Sequence, residues 1–204
     1  MCGRFILIPE DELNRIIADV KANLKKQQHA NVMATSQDVY PKATVPIIVP
    51  NGGSLDVAEM TWGYEFSWSR APVFNTRADT ALRPSTNGRP NVWADSLKYR
   101  RCVVPSHGFY EPHKTETHPS PKTGKPIKDQ YFFRLPGSYI VFMAGIYEEG
   151  HFSIMTTEPN QWMEDIHPRM PVVLCPKELD AWLYGDYANL FDRSKLELAS
   201  EKIA

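Results

Sequence analysis

The stretch YIVFMAGIYEEGHFSIMTT, residues 139–157, is two apolar runs joined by Glu148-Glu149-Gly150. The runs carry aromatic and β-branched residues and meet at a glycine turn, so they read as a β-hairpin. Upstream, QYFFRL, GFYE and RCVVP read as further short strands, and HKTETHPSPKTGKPI (113–127) as an exposed insertion between two of them. LDVAEMTWGY is another strand, and TVPIIVP is a strand interrupted by proline, hence an edge. Helical signals lie outside this block. Pro9 followed by Glu10, Asp11 and Glu12 suits the positive end of a helix dipole. Leu13, Ile16, Ile17, Val20 and Leu24 then recur at helical spacing, and KANLKKQQ reads as that helix's solvated end. VWADSLKY behind a capping Asn91, EPNQWMED, PKELDAWLYG and RSKLELASEK read as short helices. Residues 65–92 read mostly as loop. Strands without βαβ alternation predict an α+β fold: a mainly antiparallel sheet core with surrounding short helices. One domain is expected over 1–204, with a helical tail from about 185 to 204.

The 204 residues are 42% hydrophobic and 23% charged, with a net charge of −1. A chain of this size buries roughly 70% of its unfolded surface. Near-zero net charge excludes a molecule coated for phosphate binding, so any nucleic-acid site is a local patch. Cys2, Cys102 and Cys175 form no CxxC pair and no even set, which argues against a disulfide scaffold. No stretch approaches the ~18 apolar residues of a membrane span. A cytoplasmic location, a monomer, and neither metal nor cofactor are expected; the six histidines show no HExxH spacing.

Five stretches carry residues suited to chemistry. In MCGRF, removal of Met1 leaves Cys2 with both an α-amine and a thiol. An α-amine titrates near 7.7–8.0, so roughly a tenth is neutral at pH 7 and able to attack an aldehyde. The thiol can then close a five-membered thiazolidine ring; alternatively the amine serves as base to the thiol of an N-terminal hydrolase. In FNTRADT, Asn75 and Arg77 stand two residues apart, on one side of an extended segment, and suit a phosphate or sugar oxygen. Residues 65–101 hold seven basic and three acidic residues, a local charge of +4, interleaved with Phe66, Trp68 and Phe74 and preceded by Trp62 and Tyr64. That mixture fits phosphate contact and base stacking on single-stranded nucleic acid. The alternation of Trp62, Tyr64, Phe66 and Trp68 equally fits one buried strand face, with one or two of the four exposed. In VVPSHGFYEP, Glu111 ends an apolar strand, where desolvation raises a carboxyl into the range useful for proton transfer. In MTTEPNQWMEDIHPRMP, a proline-flanked turn fixes His167, an acid or base near neutral pH.

Taken in order, MCGRF, WGYEFSW, FNTRADT, RRCVVPSHGFYEP, FSIMTTEPN and IHPRMPVVL resemble the SRAP (SOS-response-associated peptidase) family. The resemblance spans residues 2 to about 176. Members of that family cross-link to abasic sites in single-stranded DNA. The resemblance implies that Cys2 forms the thiazolidine with the ring-opened abasic sugar, with Asn75 in the pocket beside the lesion. It implies Glu111 as the catalytic carboxylate and His167 as the group near the sugar oxygen. Arg77 matches the phosphate-binding arginine; Arg4, Trp68 and Arg169 fall at positions of DNA contact, and Thr156 at a pocket hydroxyl. Three positions depart from the pattern: Pro112 replaces a common tryptophan, Asp79 a glutamate, and His107 an acidic residue. The implied partner is single-stranded DNA containing abasic sites, in a nucleoid-associated setting. Two other readings remain, a thiol peptidase or amidohydrolase using Cys2 with autoproteolytic activity, and a non-covalent single-strand binding module.

Overall fold

The computed structural model describes residues 2–21, 37–85 and 90–203. In chain order the strands are β1 (Arg4–Leu7), β2 (Asp38–Val39), β3 (Thr44–Asn51), β4 (Ser54–Trp62), β5 (Asn75–Arg77), β6 (Arg101–Pro119), β7 (Pro126–Arg134), β8 (Val141–Glu148), β9 (His151–Thr157), β10 (Met170–Pro171), β11 (Val173–Leu174) and β12 (Ala199–Ile203). The helices are α1 (Glu10–Lys21), α2 (Ala78–Ala81), α3 (Ala94–Tyr99) and α4 (Leu179–Tyr184). All twelve strands join one sheet. Its pairings are antiparallel except where β4 and β5 run parallel to β9, in keeping with an α+β protein built on a mainly antiparallel core.

The hairpin at 139–157 is the centre of the sheet. β8 and β9 pair through Glu148↔His151, and Glu149 (φ 47°) and Gly150 (φ 77°) form the two-residue turn between them. Positive φ at both central positions is the type I′ geometry that matches strand twist. β8 also pairs with β6 on its other side, so β8, β9, β4, β3 and β6 close into a ring. Closure explains how the strands sort their side chains. Ile47, Val104, Met143 and Ile154 belong to one apolar cluster with Cys2, Phe5, Trp62 and Phe109. Their chain neighbours Ile48, Val103, Phe142 and Met155 belong to a second, with residues of α1, α3 and α4. Alternate residues point to opposite faces of a strand, so the helix-bearing cluster lies outside the ring and the other within it.

Several expectations are corrected. β3 is not an edge; it lies between β4 and β6. Its prolines are tolerated because its register with β6 is confined to Ile48↔Val103. RCVVP and GFYE are parts of a single 19-residue strand, β6. The insertion at 113–127 is a long β-hairpin: β6 runs on to Pro119 and returns as β7, with Pro119↔Pro126 across the turn. EPNQWMED forms successive turns rather than a helix. There the Asn160 amide group donates to the carbonyls of Arg193 (3.1 Å) and Leu196 (2.7 Å), while its Oδ1 accepts the Trp162 amide at 3.2 Å. The tail is not helical. After a one-turn 3₁₀ segment at Ala188–Phe191 it becomes β12, paired along β7. Leu196 and Leu198 both pack on the inner cluster, a spacing of two that suits an extended chain. Asn91 precedes α3 as expected but acts as a staple. Its Nδ2 reaches the carbonyls of Thr80, Ala81 and Arg83, and its Oδ1 accepts the Trp93 amide. KANLKKQQ beyond Lys21, Leu24 and Arg89 lie outside the described residues, as does the side chain of Val20.

Candidate active site

β1 lies antiparallel to β6 with Arg4↔Tyr110 and Phe5↔Phe109 in register. This pairing sets Cys2, just ahead of β1, beside the part of β6 that carries Glu111. Cys2 is fully buried. Its carbonyl accepts a hydrogen bond of 2.7 Å from Asn75 Nδ2, and its Sγ lies 3.7 Å from the Arg4 carbonyl. Burial first, and then the charge of Glu111, hold the thiol well above its ordinary range. Asn75 is itself buried at the start of β5, and its Oδ1 has no hydrogen-bond partner among the described residues. A buried acceptor without a partner is costly unless a ligand supplies the donor.

Glu111 is also fully buried. Burial pushes its carboxyl up to about 7. Its Oε2 lies 3.7 Å from His167 Nε2. His167 Nδ1 sits 2.8 Å from the Arg169 carbonyl oxygen and 3.2 Å from the Arg169 amide nitrogen. Assigning the hydrogen to the shorter contact makes Nδ1 the donor and leaves the Nε2 lone pair facing Glu111. Burial lowers the imidazole below its ordinary value. A carboxyl raised and an imidazole lowered, face to face, share one proton near neutrality.

A second group adjoins the first through β9. β5 and β10 flank this strand, with Arg77↔Thr156 on one side and Pro171↔Thr156 on the other. Thr156 is buried, and its hydroxyl points to the Thr76 carbonyl at 3.5 Å. Asp79 ties the group together. It accepts from Arg77 at 3.1 and 3.0 Å and from Arg169 at 3.2 Å, and these arginines hold its carboxyl below the usual range, Arg77 foremost. Arg169 is buried, with Nη2 also on the Thr156 carbonyl at 2.8 Å and Nη1 on Glu158. Arg77 is half-exposed. In the sequence Asp79 stands out only as a departure from a family pattern; the signal for its role is its place two residues after Arg77.

Arg4 and Trp68 stand apart from these groups. The Arg4 guanidinium lies 3.9 Å from the Tyr110 ring centroid and pairs with Asp38. Trp68 is 65% exposed and stacks on Phe66 at 4.6 Å, which stacks in turn on Tyr64 at 5.9 Å. The four alternating aromatics do not share one face. Trp62 lies within the ring, while Tyr64 and Phe66 join the outer cluster. Gly63 (φ 119°) makes the switch, at a point where a Cβ would meet Pro72 Cβ at 2.8 Å. Among the described residues, no three of His, Cys, Asp and Glu are grouped to hold a metal ion, and no helix is long and apolar enough to cross a membrane.

These observations define a mainly antiparallel α+β protein with a thiol, a carboxyl and an imidazole gathered where β1 meets β6. Residues 1–201 match the model of the SOS response associated peptidase (SRAP) family, and the chain belongs to that family. It is 30% identical over 197 residues to abasic site processing protein YoqW of Bacillus subtilis, covering 90% of this chain and 80% of that protein. It is 27% identical over 194 residues to abasic site processing protein YedK of Escherichia coli, covering 90% and 79%. Abasic site processing protein HMCES of Rattus norvegicus is 26% identical over 253 residues, covering 97% and 68%. A solved protein of Bacteroides thetaiotaomicron shares the fold, with a TM-score of 0.68 at 22% identity over 100% of this chain and 92% of that one.

Proposed function

We propose that this protein processes abasic sites in single-stranded DNA by covalent capture on Cys2, after removal of Met1. The observation that carries the reading is the buried Cys2, held by Asn75 through its carbonyl and set beside the Glu111–His167 pair. The names of the relatives supply the substrate. An abasic sugar is mostly a closed hemiacetal, which an amine cannot attack. The one proton of the Glu111–His167 pair passes through His167 Nε2 to the ring oxygen, and the Glu111 carboxylate left behind accepts one from the anomeric hydroxyl, which opens the ring. The Cys2 amine adds to the aldehyde carbon, and loss of water, aided by the carboxyl of Glu111, leaves an imine. The thiol then gives its proton to the Glu111 carboxylate and sulfur adds to the imine carbon. The nitrogen takes up a proton and the thiazolidine is closed. Asn75 fixes the nucleophile by its Nδ2 and offers Oδ1 to a sugar hydroxyl. Arg4 and Arg77 take phosphates, Trp68 stacks on a base, and Thr156 and Arg169 complete the wall on the β9 side. Phosphate contacts position the strand without reading its sequence.

The test is a denaturing gel of the mature protein incubated with abasic and with intact single-stranded oligonucleotides. A shifted band is expected with the abasic strand only, and none with Cys2→Ala. Absence of that band, or cleavage of a peptide extension placed before Cys2 in its stead, overturns the reading.

A further inference from the structure

The β6–β7 hairpin projects from the site, and nothing in the capture chemistry uses it. Glu111 pairs with Tyr131 at its base, and Pro119 with Pro126 at its tip. Five residues of β7 separate base from tip, roughly 17 Å at ~3.3 Å per residue, and β6 carries three more in an irregular stretch between Pro112 and Thr117. Residues 121–128 are all exposed. Between Pro112 and Gln130 the arm carries Lys114, Lys122, Lys125 and Lys128 against two carboxylates, Glu116 and Asp129. Both carboxylates are already engaged. Lys202 of β12 reaches Glu116 at 2.9 Å and Asp129 at 2.7 Å. Tyr131 also donates to Glu116, and His118 pairs with Asp129. Lys114 lies 3.9 Å from the Asp165 carboxylate, and Lys122, Lys125 and Lys128 are left as the arm's net positive field.

The base of the arm adjoins the active site. The Lys114 amide donates to the Ile166 carbonyl at 2.7 Å, one residue before His167, and Lys114 Nζ reaches the Glu164 carbonyl at 3.1 Å. The Lys128 ammonium caps the Lys114 carbonyl at 3.1 Å. Lys122 and Lys125 sit beyond this at the exposed turn.

We infer that the β6–β7 arm is a second DNA-binding surface, on which Lys122 and Lys125 hold the phosphate backbone flanking the lesion. The inference rests on DNA being the substrate of the site at its base. Duplex DNA places one phosphate per ~3.4 Å of each strand, so an arm of about 17 Å lies along about five of them. Lysine is suited to this as a mobile point charge that follows a backbone without selecting bases.

The experiment measures binding of undamaged oligonucleotides, in which no capture occurs, by anisotropy over a salt series. Lys122→Ala/Lys125→Ala is compared with the parent protein on strands of about 20 and about 4 nucleotides, the shorter unable to span the arm. On the long strand the slope of log K against log salt is expected to shallow by about 1.4 if the flank is single-stranded and about 1.8 if it is duplex. On the short strand no change is expected. An unchanged slope on both single-stranded and duplex flanks, or an equal loss on long and short strands, overturns the inference. If abasic strands give no covalent band but the long-strand slope still shallows, the capture reading fails and the arm stands.

Discussion

Glu111 Oε2 and His167 Nε2 face each other across 3.7 Å, and the two groups have exchanged their usual order of acidity. Burial lifts the carboxyl to about 7 and lowers the imidazole below 6.5. The carboxyl is thus the group that titrates where the chemistry runs. Ring opening uses the proton of the pair, so the capture rate is expected to fall above about pH 7 as Glu111 ionises, against a rise toward 7.7–8.0 as the Cys2 amine loses its proton, which gives a bell-shaped profile. Glu111→Gln removes the fall, keeps the rise with the amine, and slows capture by roughly a hundredfold, the usual worth of a positioned acid–base group. Single-turnover rates against pH measure this. A Gln variant that retains both inflections and its rate removes Glu111 from the proton transfers.

The same burial has a cost in stability. The folded-state value of about 7 lies above the ordinary 4.5, so the folded protein holds this proton more tightly than the unfolded chain does. Its contribution is fully present below about pH 4.5 and is lost as pH rises through about 7. At about pH 8 the buried charge costs on the order of 3 kcal/mol. Glu111→Gln is expected to be the more stable protein at about pH 8 by up to that amount, and to have no advantage near pH 4. Denaturant midpoints at the two pH values decide it. Function placed here at the expense of stability would show as a variant that is both sturdier and slower.

Asn75 tests whether the nucleophile must be held. Asn75→Ala removes the 2.7 Å bond to the Cys2 carbonyl, at about 1 kcal/mol of stability. Asn75→Asp keeps the shape but sets an oxygen against that carbonyl inside a buried site. Capture is expected to slow at least about tenfold in Asn75→Ala, because misplacing a nucleophile by about an ångström costs rate steeply. It should slow further in Asn75→Asp. Equal rates in all three proteins would mean that Cys2 is positioned by β1 alone.

The hairpin at 139–157 and the start of α1 were legible because their signals are local: a glycine turn between apolar runs, and a proline with three acids before an amphipathic period. Cys2, Asn75, Glu111 and His167 were legible as residue types suited to chemistry, and a family resemblance tied them together. Their convergence was not. Residues 2, 75, 111 and 167 meet only because β1 pairs with β6 and β5 with β9, and such register is written in no single stretch. The tail departs from its helical signal for a related reason. RSKLELASEK has good helix formers, yet β7 offers an unpaired edge and Leu198 a place in the inner cluster, and tertiary pairing outweighs propensity. Proline in β3 signalled an edge, but a single registered contact with β6 leaves room for it.

Arg101 carries a structural role that no motif announced. Its Nη1 reaches the carbonyls of Leu97 and Lys98, both at 2.9 Å, at the end of α3. Its Nε and Nη2 reach those of Trp182, Leu183 and Gly185 at the end of α4. One buried cation thereby closes two helix C-termini, where the dipoles favour positive charge. Arg101→Met leaves these carbonyls without donors and is expected to cost about 2–4 kcal/mol. That is about 4–16 °C in Tm for a chain of this size. Capture at a temperature where the variant is folded should be unchanged, since Arg101 touches none of the reacting groups.

Cys2→Ser separates the two functional groups of Cys2. The serine variant keeps the α-amine, so an imine with the abasic aldehyde still forms. Its hydroxyl is a poorer nucleophile than the thiol and closes the ring less readily. The imine then persists, and it hydrolyses or undergoes β-elimination, which breaks the DNA strand. The stable band is therefore expected to disappear in Cys2→Ser. It should return when borohydride reduces the imine to an amine, and strand cleavage should increase over the parent protein. A chain with Met1 retained has an amide at this nitrogen and should show neither the stable nor the reduced band. If borohydride fails to restore the band in Cys2→Ser, the amine is not the first nucleophile. Capture would then have to begin at sulfur, whose thiol burial holds in the protonated form.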